Sequence, residues 1–106
     1  MKKYLQITCS IILMMMTFSL SAQIINIPDS NFKSALITEG VDTNNDGEIQ
    51  ESEALAITEL NISYKNISSL EGINYFKNLS IIRCQYNQLT TIDISNLTKL
   101  SEIYCR

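Results

Sequence analysis

The chain has 106 residues, eleven acidic and eight basic side chains, a net charge of −3 and no histidine. That length fits a single domain. The lack of histidine excludes a histidine general base, a Ser-His-Asp triad and histidine-ligated zinc within these residues.

Residues 1–22 read as a secretory signal peptide. Lys2 and Lys3 make a short basic start, Ile7 to Leu20 is almost wholly apolar, and Ser21-Ala22 offers small residues for cleavage. The apolar run is short for a membrane span, so an uncleaved anchor is the lesser reading and no span is expected after cleavage. Cleavage would remove two of the eight basic residues and deepen the negative charge. No basic stretch is left to follow a phosphate backbone or an anionic bilayer, so neither nucleic acid nor a membrane surface is expected as a partner.

Residues 23–56 read as a helical N-terminal unit. Ile24, Ile25 and Ile27 could form a brief edge strand, which Pro28 stops. Asp29 or Ser30 then caps a helix whose apolar face is Phe32, Ala35 and Leu36. Gly40 ends that helix.

The next stretch, residues 42–53, has the pattern D-x-N-x-D-G-x-I-x-x-x-E. A hard cation such as Ca²⁺ takes six to eight oxygens. Asp42, Asn44 and Asp46 offer side-chain oxygens at loop places 1, 3 and 5, and Gly47 permits the sharp turn at place 6. Glu48 offers its backbone carbonyl, Gln50 its side chain directly or through water, and Glu53 both carboxylate oxygens. Ile49 is apolar where such a loop packs on its neighbour. The pattern resembles an EF-hand or the related dockerin loop. That resemblance implies a calcium ion, here structural because only one loop is present and Gly40 interrupts the incoming helix.

From Ile57 onward the apolar residues recur in register. Ile57, Leu60, Ile62, Ile67 and Leu70 form one set, Leu79, Ile82, Cys84, Leu89 and Ile92 a second, and Leu100, Ile103 and Cys105 open a third. The spacing is L-x-x-L-x-L-x-x-N-x-L, with Asn87 in the asparagine place of the second set. Lys65 holds that place in the first set, and Asn66 comes one later. Leu60-x-Ile62 and Ile82-x-Cys84 alternate with period two, as strands with one buried face do. Leu70, Ile73, Phe76 and Leu79 would carry the apolar surface round the back. One unit cannot bury its own face, so units must stack into a parallel sheet.

Residues 57–106 therefore resemble leucine-rich repeats, most closely the short repeats of secreted bacterial internalin-type proteins. The expected fold is α/β: a leucine-rich-repeat solenoid with parallel strands on its concave face, behind a small helix–calcium-loop–helix cap. The third unit stops after its strand, so truncation at the C-terminal side is expected. Alternate strand positions would face solvent on the concave side: Glu59, Asn61 and Ser63, then Ile81, Arg83 and Gln85, then Glu102, Tyr104 and Arg106. Repeat proteins bind over such surfaces, and Arg and Tyr favour contacts.

Cys84 and Cys105 fall in the same inward slot of neighbouring units. Export favours a disulfide. Opposed positions on parallel strands orient the sulfurs poorly, and free cysteine packs well as a small apolar group, so a packed pair of thiols is favoured. The four N-x-S/T sequences beginning at Asn61, Asn66, Asn78 and Asn96 follow from repeat composition. Asp42, Asp46 and Glu53 suit metal ligation better than acid–base work, and no catalytic constellation is visible. The expectation is a secreted or surface-attached, non-enzymatic binding module for a protein or glycan. Its rivals are the accessory front of a larger secreted enzyme and, last, a dockerin-like docking unit.

Overall fold

A computed structural model describes residues 23–106. The signal-peptide reading of residues 1–22 lies outside them. The first helix, α1, spans Ser30–Thr38. Asp29 caps it, its Oδ1 accepting from the N–H groups of Asn31 (2.9 Å) and Phe32 (3.1 Å). The helix ends where the sequence predicts. Gly40 takes a left-handed φ of 85°. The N–H of Val41 bonds the carbonyl of Leu36 and that of Gly40 bonds Ile37, both at 3.1 Å, which satisfies two terminal carbonyls. Phe32, Ala35 and Leu36 are the buried face.

The lead-in differs from the expected edge strand. Ile24 makes a single antiparallel bridge with Gln50. Two flanking bonds, Ile25 N–H to Ile49 carbonyl and Glu51 N–H to Gln23 carbonyl, are each 2.8 Å. A short second helix, α2, follows at Glu51–Leu55. Glu53 reaches back to the N–H of Gln50 (2.9 Å) and so closes its first turn.

Three short parallel strands complete the chain: β1, Glu59–Asn61; β2, Ile81–Arg83; and β3, Glu102–Tyr104. Their order is β1-β2-β3, with Leu60 beside Ile82 and Ile82 beside Ile103. The ladder runs past the strands. Ile62 N–H bonds Arg83 carbonyl and Cys84 N–H bonds Tyr104 carbonyl, both at 2.8 Å. Ile62, Cys84 and Cys105 thus lie in one row, as the repeat spacing predicts.

Leu60, Ile62, Ile82 and Cys84 are buried. One apolar cluster joins them to Phe32, Leu36 and Ile49 at one end and to Leu97 at the other. Leu70, Ile73, Phe76 and Leu79 are buried in the β1–β2 connection, which includes a 3₁₀ turn at Ile73–Tyr75. Gly72 opens that turn at φ 104°. A Cβ there would stand 3.1 Å from both the Asn26 carbonyl oxygen and Ile27 Cγ1, so only glycine lets the connection lie against the lead-in. The inward expectation fails for Ile92 and Ile103, which are 38% and 49% exposed. Among the described residues, no further strand or connection lies beyond β3 to cover them.

Polar side chains join the layers. Asn87 accepts from the N–H groups of Lys65 (2.9 Å) and Ile67 (3.1 Å) and donates to the carbonyls of Ile62 (2.8 Å) and Cys84 (3.1 Å). One side chain thereby satisfies the turn after β1 from the unit after it. At the other end, Asp29 Oδ2 accepts from Ser68 N–H (2.8 Å) and Ser69 N–H (3.0 Å). Asn31 donates to the Asn66 carbonyl (2.9 Å), and Asn78 to the Leu55 carbonyl (2.8 Å).

Two outcomes follow. Asn87→Ala strands four backbone groups, each costing about 1 kcal/mol when unpaired and partly buried. Urea unfolding should show a loss of roughly 2–4 kcal/mol, and a loss within error of zero would refute the bridging role. Asp29 is titratable. Partial burial pushes its carboxyl up, but the N–H groups of Ser68, Phe32, Ser69 and Asn31 outweigh this and hold it below the ordinary 3.8. A lowered pKa gives stability that is fully present above the unfolded value and is lost as pH falls through the folded one. Asparagine caps as well as aspartate. The stability gap between the native chain and Asp29→Asn should therefore be widest near neutral pH and close as pH drops below the ordinary value. A gap independent of pH would count against the charge.

Candidate functional sites on the sheet face and in the acidic loop

The nine residues expected on the open side of the sheet sit in three columns across the strands. Glu59, Ile81 and Glu102 are aligned, as are Asn61, Arg83 and Tyr104. Ser63, Gln85 and Arg106 follow past the strand ends. Glu59, Asn61, Glu102, Tyr104 and Arg106 are exposed, and Ser63, Ile81, Arg83 and Gln85 are half-buried. Cross-strand packing explains the half-burial: Arg83 and Ile81 lie on the central strand, with neighbours on both sides.

These side chains hold one another. The Arg83 guanidinium lies over the Tyr104 ring, 5.3 Å from its centroid, a contact worth about 0.5–1 kcal/mol at an exposed site. The Tyr104 hydroxyl donates to Glu102 Oε2 at 2.8 Å. That bond and the negative charge of Glu102 raise the phenol's pKa, against a smaller lowering by Arg83. Ser63 Oγ donates to Asn61 Oδ1 (2.9 Å) and lies 3.3 Å from Gln85 Oε1. The face thus presents a fixed cation, an ordered aromatic ring and several hydrogen-bonding groups. Such a set suits recognition and offers no nucleophile–base pair.

Sequence reasoning missed Tyr64 and Tyr86. They occupy equivalent places just past β1 and β2, and their rings stack with centroids 4.5 Å apart and planes 12° from parallel. They are 71% and 56% exposed. Each has a left-handed backbone, φ 58° and 59°. For a bulky side chain that conformation costs on the order of 1–2 kcal/mol. The recurrence of tyrosine at one repeat offset, each two places after the buried residue that follows its strand, was the available signal.

The six loop residues expected to hold calcium surround one tight turn. Asp42, Gln50 and Glu53 are buried, Glu48 is half-buried, and Asn44 and Asp46 are exposed. Asp42 accepts from the N–H groups of Asp46 (3.3 Å) and Gly47 (3.0 Å). Asn44 Oδ1 accepts from Asp46 N–H at 3.2 Å. Asp46 accepts from Glu48 N–H (2.9 Å), which holds its carboxyl below the ordinary range, and also from Gln50 Nε2. Glu53 Oε2 accepts from Thr43 N–H (2.8 Å), Thr43 Oγ1 (3.1 Å) and Asn44 N–H (3.3 Å). The Glu48 side chain forms an ion pair with Lys33 at 2.8 Å, which leaves only its carbonyl as a candidate ligand. Among the described residues, no three histidine, cysteine, aspartate or glutamate side chains converge as a ready metal cage. The donor chemistry fits a hard cation, while the carboxylates here are satisfied by the loop's own donors.

The cysteine expectation needs correction. Cys84 and Cys105 are joined as a disulfide, with Cα atoms 4.7 Å apart, inside the range a disulfide spans. Each cysteine is the residue immediately after its strand. Opposed slots on neighbouring units therefore do bring the two sulfurs within bonding reach.

No family model matches the chain, and no curated protein does. Solved structures do. The chain is 26% identical to a structure of the CBM51-2 and INT domains of Clostridium perfringens ZmpB, with TM-score 0.69, covering 78% of this chain and 17% of that one. It is 25% identical to internalin C2 of Listeria monocytogenes, with TM-score 0.67, covering 78% of this chain and 38% of that one. It is 28% identical to the functional domain of InlJ from the same organism, which includes a cysteine ladder, with TM-score 0.61, covering 76% of this chain and 18% of that one. The fold is of the internalin-like leucine-rich-repeat kind. The chain spans less than two fifths of the length of these structures.

Proposed function

We propose that the chain is a secreted or surface-attached leucine-rich-repeat binding module that engages a protein or glycan through the open face of its sheet. The observation that carries this reading is the alignment of Asn61, Arg83 and Tyr104 across three strands, with the guanidinium held over the ring. Pre-ordered side chains lose less entropy on contact than free ones. The similar structures are internalins and a structure that holds CBM51-2 and INT domains, which fits either ligand class. The apolar leader at residues 1–22 supports export, and among the described residues no helix is long and apolar enough to cross a membrane.

The test is a screen of the exported chain against arrayed glycans and purified extracellular protein domains. Arg83→Ala combined with Tyr104→Ala should weaken a hit by tenfold or more, as expected when an aromatic and an arginine anchor are lost from a contact centre. Lys77→Ala, on the back connection, should leave it unchanged. Hits indifferent to the double substitution would overturn the reading.

The acidic loop is proposed as a structural calcium site that ties α1 to the repeats. Asp42, Asn44, Asp46, Gln50 and Glu53 would hold the ion with the Glu48 carbonyl. The oxygens of Asp42 and Asp46 and Glu53 Oε1 each accept one bond and keep a second lone pair for an ion, whereas Glu53 Oε2 accepts three bonds and would have to give up at least one. For a dissociation constant on the order of 10⁻⁴ to 10⁻³ M, about 10 mM calcium adds roughly 1.4–2.7 kcal/mol. The melting temperature should rise by roughly 5–15 °C and should not rise in Asp42→Asn with Glu53→Gln. No rise in the native chain would refute the site.

A further inference from the structure

The stacked tyrosines join neighbouring repeats through their rings, yet both stay largely exposed. They bury little, and their left-handed backbones suit glycine or asparagine better than an aromatic residue. Both repeats nevertheless place tyrosine there. Stacking covers one face of each ring and leaves the outer face of Tyr64, the more exposed of the two, open to solvent. Tyr86 backs it and holds it flat.

Fixed, neutral hydrogen-bonding groups flank the stack. Ser63 Oγ is held between Asn61 Oδ1 and Gln85 Oε1, and Asn66 Oδ1 accepts from Gln88 Nε2 at 3.5 Å. Across residues 63–67 and 85–89, Lys65 is the only charged side chain. A flat apolar plane bordered by amides and hydroxyls, with cations at Lys65 and Arg106 on its border, complements a pyranose. A sugar ring whose hydroxyls are equatorial shows a C–H face to the aromatic plane and its hydroxyls to the rim. A peptide anchor would be served better by an apolar pocket with a desolvated centre.

We infer that the outer face of Tyr64, backed by Tyr86, is a stacking site for a glycan of pyranose rings with equatorial hydroxyls at the end of the sheet. This rests on the binding-module reading and narrows its ligand class. The chain has no tryptophan, and its tyrosine emission sums Tyr64 and Tyr86 with the three other tyrosines, so the substitutions at Tyr64 and Tyr86 identify the share that the stack contributes.

The experiment titrates the full chain with chitotriose and with cellotriose, followed by tyrosine fluorescence and calorimetry. At least one sugar should bind. Tyr64→Ala should weaken that binding tenfold or more, while Tyr64→Phe should stay within threefold, because stacking uses the ring and not the hydroxyl. Tyr86→Ala should fall between them. Tyr64→Asn suits the left-handed backbone, so it should melt with the native chain yet bind no better than Tyr64→Ala. Failure of both sugars to bind overturns the inference, as does binding indifferent to Tyr64. If sugar binding instead follows Arg83 and Tyr104, the inference fails and the binding-module reading stands. If Tyr64→Ala abolishes binding of a protein domain and no sugar binds, the stack is a protein contact and the inference fails.

Discussion

A strand of three residues cannot bury its own inward side chains. Leu60 and Ile62 are covered because Ile82 and Cys84 lie beside them in register, and the same dependence passes on to the next strand. The structure is therefore a sum of neighbour contacts. Asn87 makes that dependence specific. Apolar side chains could slide past one another at small cost, but four directional bonds to two successive turns admit one register only.

The N-terminal segment solves the same problem at the first strand's open side. Phe32, Leu36 and Ile49 complete the apolar cluster there, and Asp29 divides its carboxylate between two tasks. One oxygen caps α1, and the other takes two N–H groups from the first repeat's turn. Helix formation and docking thereby share one residue. Gly72 belongs to the same seam, since a Cβ there would crowd Asn26 and Ile27 and strain the positive φ.

Much of this was legible in the sequence, because the repeat period is a packing rule written in residue types. The strands, their parallel order, the Asp29 cap, the Gly40 stop and the bridging asparagine all follow from periodicity and local chemistry. What escaped depends on backbone direction outside regular structure. Nothing in the tyrosine side chain signals a left-handed φ at Tyr64 and Tyr86. The cysteine pairing was misjudged because residues opposed across a parallel ladder were expected to orient their sulfurs poorly, whereas these two bond. Ile103 reads as core from its spacing, yet a spacing pattern gives no measure of what lies on its far side.

The acidic loop shows how far a pattern carries. Its residue types match a calcium loop at every constrained place, yet the same carboxylates are good acceptors for tight-turn N–H groups, and the structure uses them so. Turn closure and cation binding want the same geometry: oxygens pointing inward around a glycine at positive φ, here Gly47 at 79°. Because the loop is already closed by its own donors, binding of an ion there would bring little rearrangement. The Glu48–Lys33 ion pair then fixes the loop to α1 whether or not an ion binds. Any calcium effect would accordingly fall on stability at the seam and leave the sheet face unchanged.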